Sequence, residues 1–229
     1  MRLNLERIDL ASIGVVAAMA ATSAYTALNG PEGPVPAHMD MTGAVDRWGT
    51  SGEMAGVMAV ITALTAGIAL YCAVLKRDRR TADQAARSPR GFMAGRILGL
   101  IAPAGALALM AAMTFGGLEP GESQAPMARL MMGGLSLTLL AIGAFLGKTA
   151  PNAFVGLRTY WSLTSRLSWD KSNRLAGRLF FWIGLIGLAA TPFLAPAIGL
   201  PLLIGAVILA AAVSIFESWR VWRIDPNRA

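Results

Sequence analysis

The chain's single histidine, His38, stands in the segment H-M-D-M-T-G-A-V-D, which brings Asp40 and Asp46 close to it in sequence. An imidazole with two carboxylates can hold a divalent metal or relay a proton. That chemistry would make the chain an enzyme or a metal-binding protein. The spacing is no established zinc pattern, however, and aspartates beside a glycine equally suit turns, where carboxylates accept backbone N–H bonds. In this second reading Asp40 and Asp46 stabilise turns around Gly43, while Trp48 anchors the loop at an interface. Arg158, Tyr160 and Trp161 form another cluster. An arginine beside two aromatics is a common anchor at a lipid boundary. It also suits a docking patch, with Arg158 paired to Asp170 or to an acidic partner. No Ser–His–Asp arrangement and no H-E-x-x-H is present.

The elements that carry these residues follow from composition. Of 229 residues, 55% are hydrophobic and only 14% charged, against about 25% charged in a soluble domain. Six apolar stretches stand out: Leu10–Leu28, Met54–Leu75, Ile97–Gly117, Met127–Gly147, Leu175–Phe193 and Ile198–Phe216. Each has roughly the 20 residues that cross a hydrocarbon core. The fold class expected is therefore all-α: one polytopic membrane domain over residues 1–229 with six transmembrane helices. The flank Met1–Asp9 is mixed in charge and no convincing small-residue cleavage site follows, so the first stretch is expected to be a retained span. The lone Cys72 lies inside the second stretch, where it packs as a small apolar residue.

Charge sets the expected topology. Eighteen of the twenty Lys and Arg residues fall on one side of such a six-span chain, leaving Arg47 and Arg129 on the other. Positive charge concentrates on the cytoplasmic side, which puts both termini inside. The inner face then carries a net +11 and the outer face −4. These cations sit at span ends, where they pin helices and meet anionic lipid. With no base-reading motif, direct nucleic-acid binding is not expected. No stretch has a central Asp, Glu, Lys or Arg, which argues against a pump or ion-coupled transporter. Ser and Thr within the spans are expected to bond the carbonyl of the preceding turn.

Two connections are long and patterned. The outer one, residues 29–52, is rich in Pro and Gly, which predicts extended and turn geometry. The inner one, residues 148–178, gains helical spacing from about Thr164 and runs on into the fifth span, with Leu167, Trp169, Leu175 and Phe180 along the lipid interface. Pro192, Pro196 and Pro201 predict a tight hairpin between the last two spans. Gly143-x-x-x-Gly147 has the spacing that lets helices approach closely.

These two connections also carry a resemblance. The outer segment P-V-P-A-H-M-D-M-T-G-A-V-D resembles an N-terminal signature of the SdpI-like family of bacterial membrane proteins, matched at Pro36, His38, Gly43 and Asp46. The inner segment resembles that family's second signature, matched at Asn152, Gly156, Arg158, Thr159, Trp161, Leu163, Trp169, Arg174 and Gly177. Asn173 stands where many relatives have His, and Ser51–Gly52 follow Thr50 where a Lys is frequent. The resemblance implies a multi-pass protein of the bacterial cytoplasmic membrane, without cofactor or catalytic activity, that gives immunity to a secreted antibacterial peptide toxin. It further implies signal transduction, through a cytoplasmic regulator protein retained at the membrane. Candidate functional residues are thus Pro36, His38, Asp40, Gly43, Asp46 and Trp48 outside, and Asn152, Gly156, Arg158, Thr159, Trp161, Trp169, Asn173 and Arg174 inside.

Overall fold

The computed structural model describes residues 6–75, 89–117, 124–149, 151 and 156–228. Within them the order is α1 (Arg7–Asn29), β1 (Val35–Met39), β2 (Val45–Gly49), α2 (Ser51–Leu75), α3 (Pro89–Phe115), α4 (Ala125–Leu146), α5 (Tyr160–Thr164), α6 (Arg166–Ala190) and α7 (Pro196–Ile224). Long helices are what apolar chain must form in lipid, because each backbone N–H and C=O has to be bonded within its own segment.

The exposure pattern is inverted relative to a water-soluble bundle. Leu28 is 83% exposed and Leu70 66%, while Thr26, Ser136 and Ser214 are wholly buried. Apolar side chains left outside and hydroxyls placed inside require an apolar solvent. Five helices, α1, α2, α3, α4 and α7, are long and apolar enough to cross a membrane. The fifth expected span lies in α6, which is not among them. Arg178 falls inside that stretch and Arg174 just before it, so the charge-free run is only Leu179–Ala190. The hydroxyl expectation holds: Thr62 and Thr65 donate to the carbonyls of Met58 and Ile61, both at 2.8 Å.

The described chain forms two compact units. One comprises Met1–Arg77 and Arg96–Leu130, the other Asp78–Gly95 and Met131–Ala229. In the first, α1 packs along α2 through small residues, and the Ser23 hydroxyl donates across to the Ala55 carbonyl at 2.9 Å. Met19, Met58 and Leu107 form its apolar core. Arg96, 4% exposed, reaches back to the start of α1, pairing with Asp9 and lying 3.9 Å from Glu6. The connection from α1 to α2 adds to the all-α expectation: β1 and β2 pair antiparallel, with irregular register around His38.

In the second unit α4 and α6 meet backbone to backbone. A Cβ on Gly143 would lie 2.3 Å from the Phe181 nitrogen, and one on Gly184 only 2.4 Å from the Leu140 nitrogen. Glycine alone permits that approach, as the Gly143-x-x-x-Gly147 spacing predicts. A short turn then joins α6 to α7, closed by Leu194 N–H donating to the Ala190 carbonyl at 2.8 Å. Pro196 opens α7, where a missing N–H costs nothing.

Candidate functional site

In the first unit, the β1–β2 ribbon gives the two aspartates of the histidine segment different roles. Asp40 caps the turn. Its Oδ1 accepts from the Thr42 hydroxyl at 2.6 Å, the Thr42 N–H at 2.8 Å and the Ala44 N–H at 3.0 Å. Gly43 takes φ 84° there, a left-handed conformation natural to glycine. The Thr42 hydroxyl and then the Ala44 N–H hold the Asp40 carboxyl below the usual aspartate value, because both bonds favour the charged form.

Asp46 does not share this role. It lies across the ribbon, with its Oδ1 2.6 Å from His38 Nδ1. The pair is open to solvent, with side chains 62% and 46% exposed. Asp40 is spent on the turn, and among the described residues no group of three His, Cys, Asp or Glu could hold a metal ion. Pro36 is fully buried opposite a half-buried Trp48. Arg47 pairs with Glu53 at the head of α2.

In the second unit, the inner segment is built around Trp169. This side chain has no exposed surface, and its Nε1 donates to the Thr149 carbonyl at 2.8 Å. Trp169 is therefore core rather than a residue of the lipid interface, because the indole stacks under the loop that its own N–H secures. Gly156, at φ 144°, passes over the ring so closely that a Cβ would meet its Cη2 at 2.5 Å. Asn173, one turn along α6, accepts from the Leu157 N–H at 2.6 Å and donates to the Trp169 carbonyl at 3.1 Å. Trp169 and Asn173 thus clamp residues 156 and 157 onto α6.

Hydroxyls close the other end of the segment. Thr159 caps α5, accepting from the Ser162 N–H at 3.1 Å, and its Oγ1 lies 2.8 Å from Ser218 Oγ of α7. Ser165 caps α6, accepting from Ser168 N–H at 2.9 Å while donating to Asp225 Oδ2 at 2.5 Å. Ser168 donates to the Ser218 carbonyl at 2.6 Å. The Ser165 hydroxyl and then the Asn227 N–H push the Asp225 carboxyl below its usual range.

Around this buried frame the charges face out. Arg158, Arg174 and Tyr160 are exposed and Trp161 is half-buried. Among the described residues Arg158 forms no ion pair, so of the two partners considered for a docking patch Asp170 is not engaged. Tyr160 instead sets its edge against Trp222 at 6.1 Å between centroids. Asn152 lies outside the described residues. The sequence reading missed Ser165, Ser168, Ser218 and Asp225. A serine ahead of a helical run is a cap signal that could have found Ser165. Nothing local foretells that Asp225 returns to it.

These features define a multi-span helical membrane protein whose polar segment before α6 is locked by buried hydrogen bonds. Residues 148–218 match the model of the SdpI/YfhL protein family, and over this segment the resemblance seen in the sequence is shown. The β1–β2 ribbon lies beyond the matched residues. No curated protein and no solved structure matches the chain.

Proposed function

We propose that this chain is a six-span protein of the bacterial cytoplasmic membrane, termini inside, that protects its host from a secreted antibacterial peptide toxin. The toxin meets the His38–Trp48 ribbon on the outer face. The inner segment with Arg158 and Trp161 docks an acidic cytoplasmic regulator. The observation that carries this reading is the family match at residues 148–218, which spans the clamp formed by Gly156, Trp169 and Asn173. The partition of eighteen cations to one side supports the orientation.

In this reading α6 supplies the sixth span. Its 25 residues reach about 37 Å, and the Arg174 and Arg178 stems can carry their charges up to the headgroups. Exposed Arg158 supports a docking role, since its guanidinium is not committed to Asp170. The test is expression in a toxin-sensitive strain challenged with candidate peptides. Survival is expected, and Arg158→Ala should abolish regulator recruitment while leaving the protein folded. Killing unchanged by expression, across the candidate peptides, would overturn the proposal.

A further inference from the structure

A groove of about 610 Å³ runs between α4 and α6 in the second unit. Its floor is made by Gly143, Gly147 and Gly177, where the two backbones touch, and its inner end by Phe181 and Trp182. Its rim carries four cations, Lys148, Lys171, Arg174 and Arg178, all exposed. Among the described residues no acidic side chain lines it. Among the described residues none of the four makes an ion pair within 4 Å. Arg178 makes only a long bond, 3.4 Å, from its Nε to the Arg174 carbonyl. Glu217 interacts with Lys171 through space, yet its carboxylate is held by Arg220 at 2.7 and 2.9 Å.

The spacing is informative. Lys171, Arg174 and Arg178 recur at helical intervals on one face of α6, and Trp182 follows one turn further on. From Lys171 to Trp182 that face descends about 16 Å. Charge at one end thus gives way to an aromatic wall at the other, and the glycine trough runs between them, from Gly147 beside Arg174 to Gly143 beside Phe181. That is the profile of a phospholipid, with a phosphate above and an acyl chain below. A soluble acidic segment fits less well, because Arg178 sits beside Phe181 and Trp182, at the start of the charge-free run of α6.

We propose that this groove binds one anionic phospholipid, its phosphate held by Arg174 and Arg178 with Lys148 and Lys171 at the rim, and an acyl chain laid over the glycine trough against Trp182. The site is independent of any toxin or regulator. It also accounts for two arginines set just ahead of the short apolar run of α6.

The experiment titrates detergent-purified full-length protein with phosphatidylglycerol brominated on its acyl chains and reads quenching of tryptophan fluorescence. The expected result is a saturable component that disappears in Trp182→Phe. Apparent affinity should fall about five-fold for each of Arg174→Gln and Arg178→Gln. Lys148→Gln and Lys171→Gln, at exposed rim positions, repeat the test should either arginine variant fail to fold. Brominated phosphatidylcholine should give no saturable component, and neither inorganic phosphate nor a poly-glutamate peptide should displace the lipid. Equal quenching by the zwitterionic lipid, indifference to the folded cation variants, or displacement by phosphate or peptide would each overturn the proposal.

Discussion

Gly156→Ala tests the inner clamp at its tightest point. Two independent penalties meet there. The backbone sits at φ 144°, a region almost confined to glycine, and holding alanine in it costs about 1–3 kcal/mol. The new Cβ would also stand 2.5 Å from Cη2 and 2.7 Å from Cζ2 of Trp169. That ring cannot swing aside cheaply, since it is wholly buried and tethered through Nε1 to the Thr149 carbonyl at 2.8 Å. Overpacking against so rigid a neighbour adds about 1–3 kcal/mol. The combined loss is about 2–6 kcal/mol, which in a chain of this size lowers Tm by at least about 4 °C. The assay is thermal unfolding of the purified full chain in detergent, followed by tryptophan fluorescence. Gly205→Ala is the control: a Cβ there meets nothing within 4 Å, and alanine in a helix should be neutral or slightly stabilising. A Gly156→Ala protein that melts with wild type, while Gly205→Ala behaves as expected, would refute the clamp.

Three further outcomes follow from other parts of the fold. Asp225 has its carboxyl pKa depressed, chiefly by the Ser165 hydroxyl, so its stabilising contribution is present above the ordinary value of 3.8 and is lost as pH falls through the depressed one. Wild-type Tm should therefore drop more steeply on acidification below about pH 4 than that of Asp225→Asn. Arg96→Met breaks the buried pair with Asp9 while the Glu6 N–H still donates to Asp9 at 2.9 Å, and should lower Tm, whereas the paired change Arg96→Met with Asp9→Leu should recover part of that loss in thermal melts. Asp40→Ala removes the acceptor of three turn bonds; hydrogen exchange should quicken at the Thr42 and Ala44 amides while α2 keeps its protection.

What the sequence disclosed depended on how local each signal is. Apolar length is additive along the chain, so α1, α2, α3, α4 and α7 could be read directly. Apolar length alone falls short at α6, where Arg174 and Arg178 interrupt the run, and it was the helical spacing from about Thr164 that foretold the helix observed over Arg166–Ala190. Proline and glycine foretold extended chain at residues 29–52 but not that β1 and β2 would pair. Register depends on which residues meet across the ribbon, and that contact draws His38 to Asp46 and leaves Asp40 to the turn. Trp169 shows the commonest error of a linear reading. Tryptophan near a helix start suggests an interface, yet Gly156 and Asn173 bury it, and only the folded segment reveals that they do. The Ser165–Asp225 bond joins the two ends of the α6–α7 hairpin and has no local signature at all.

The proposed function turns on lipid as solvent, with position 38 proposed to face outward and position 158 the cytoplasm. Single cysteines at positions 38 and 158, introduced in a Cys72→Ala background, test this in intact cells with a membrane-impermeant maleimide. The account predicts that position 38 is labelled from outside and position 158 only after the cells are lysed. Labelling of both from outside, or of neither before lysis, would contradict it.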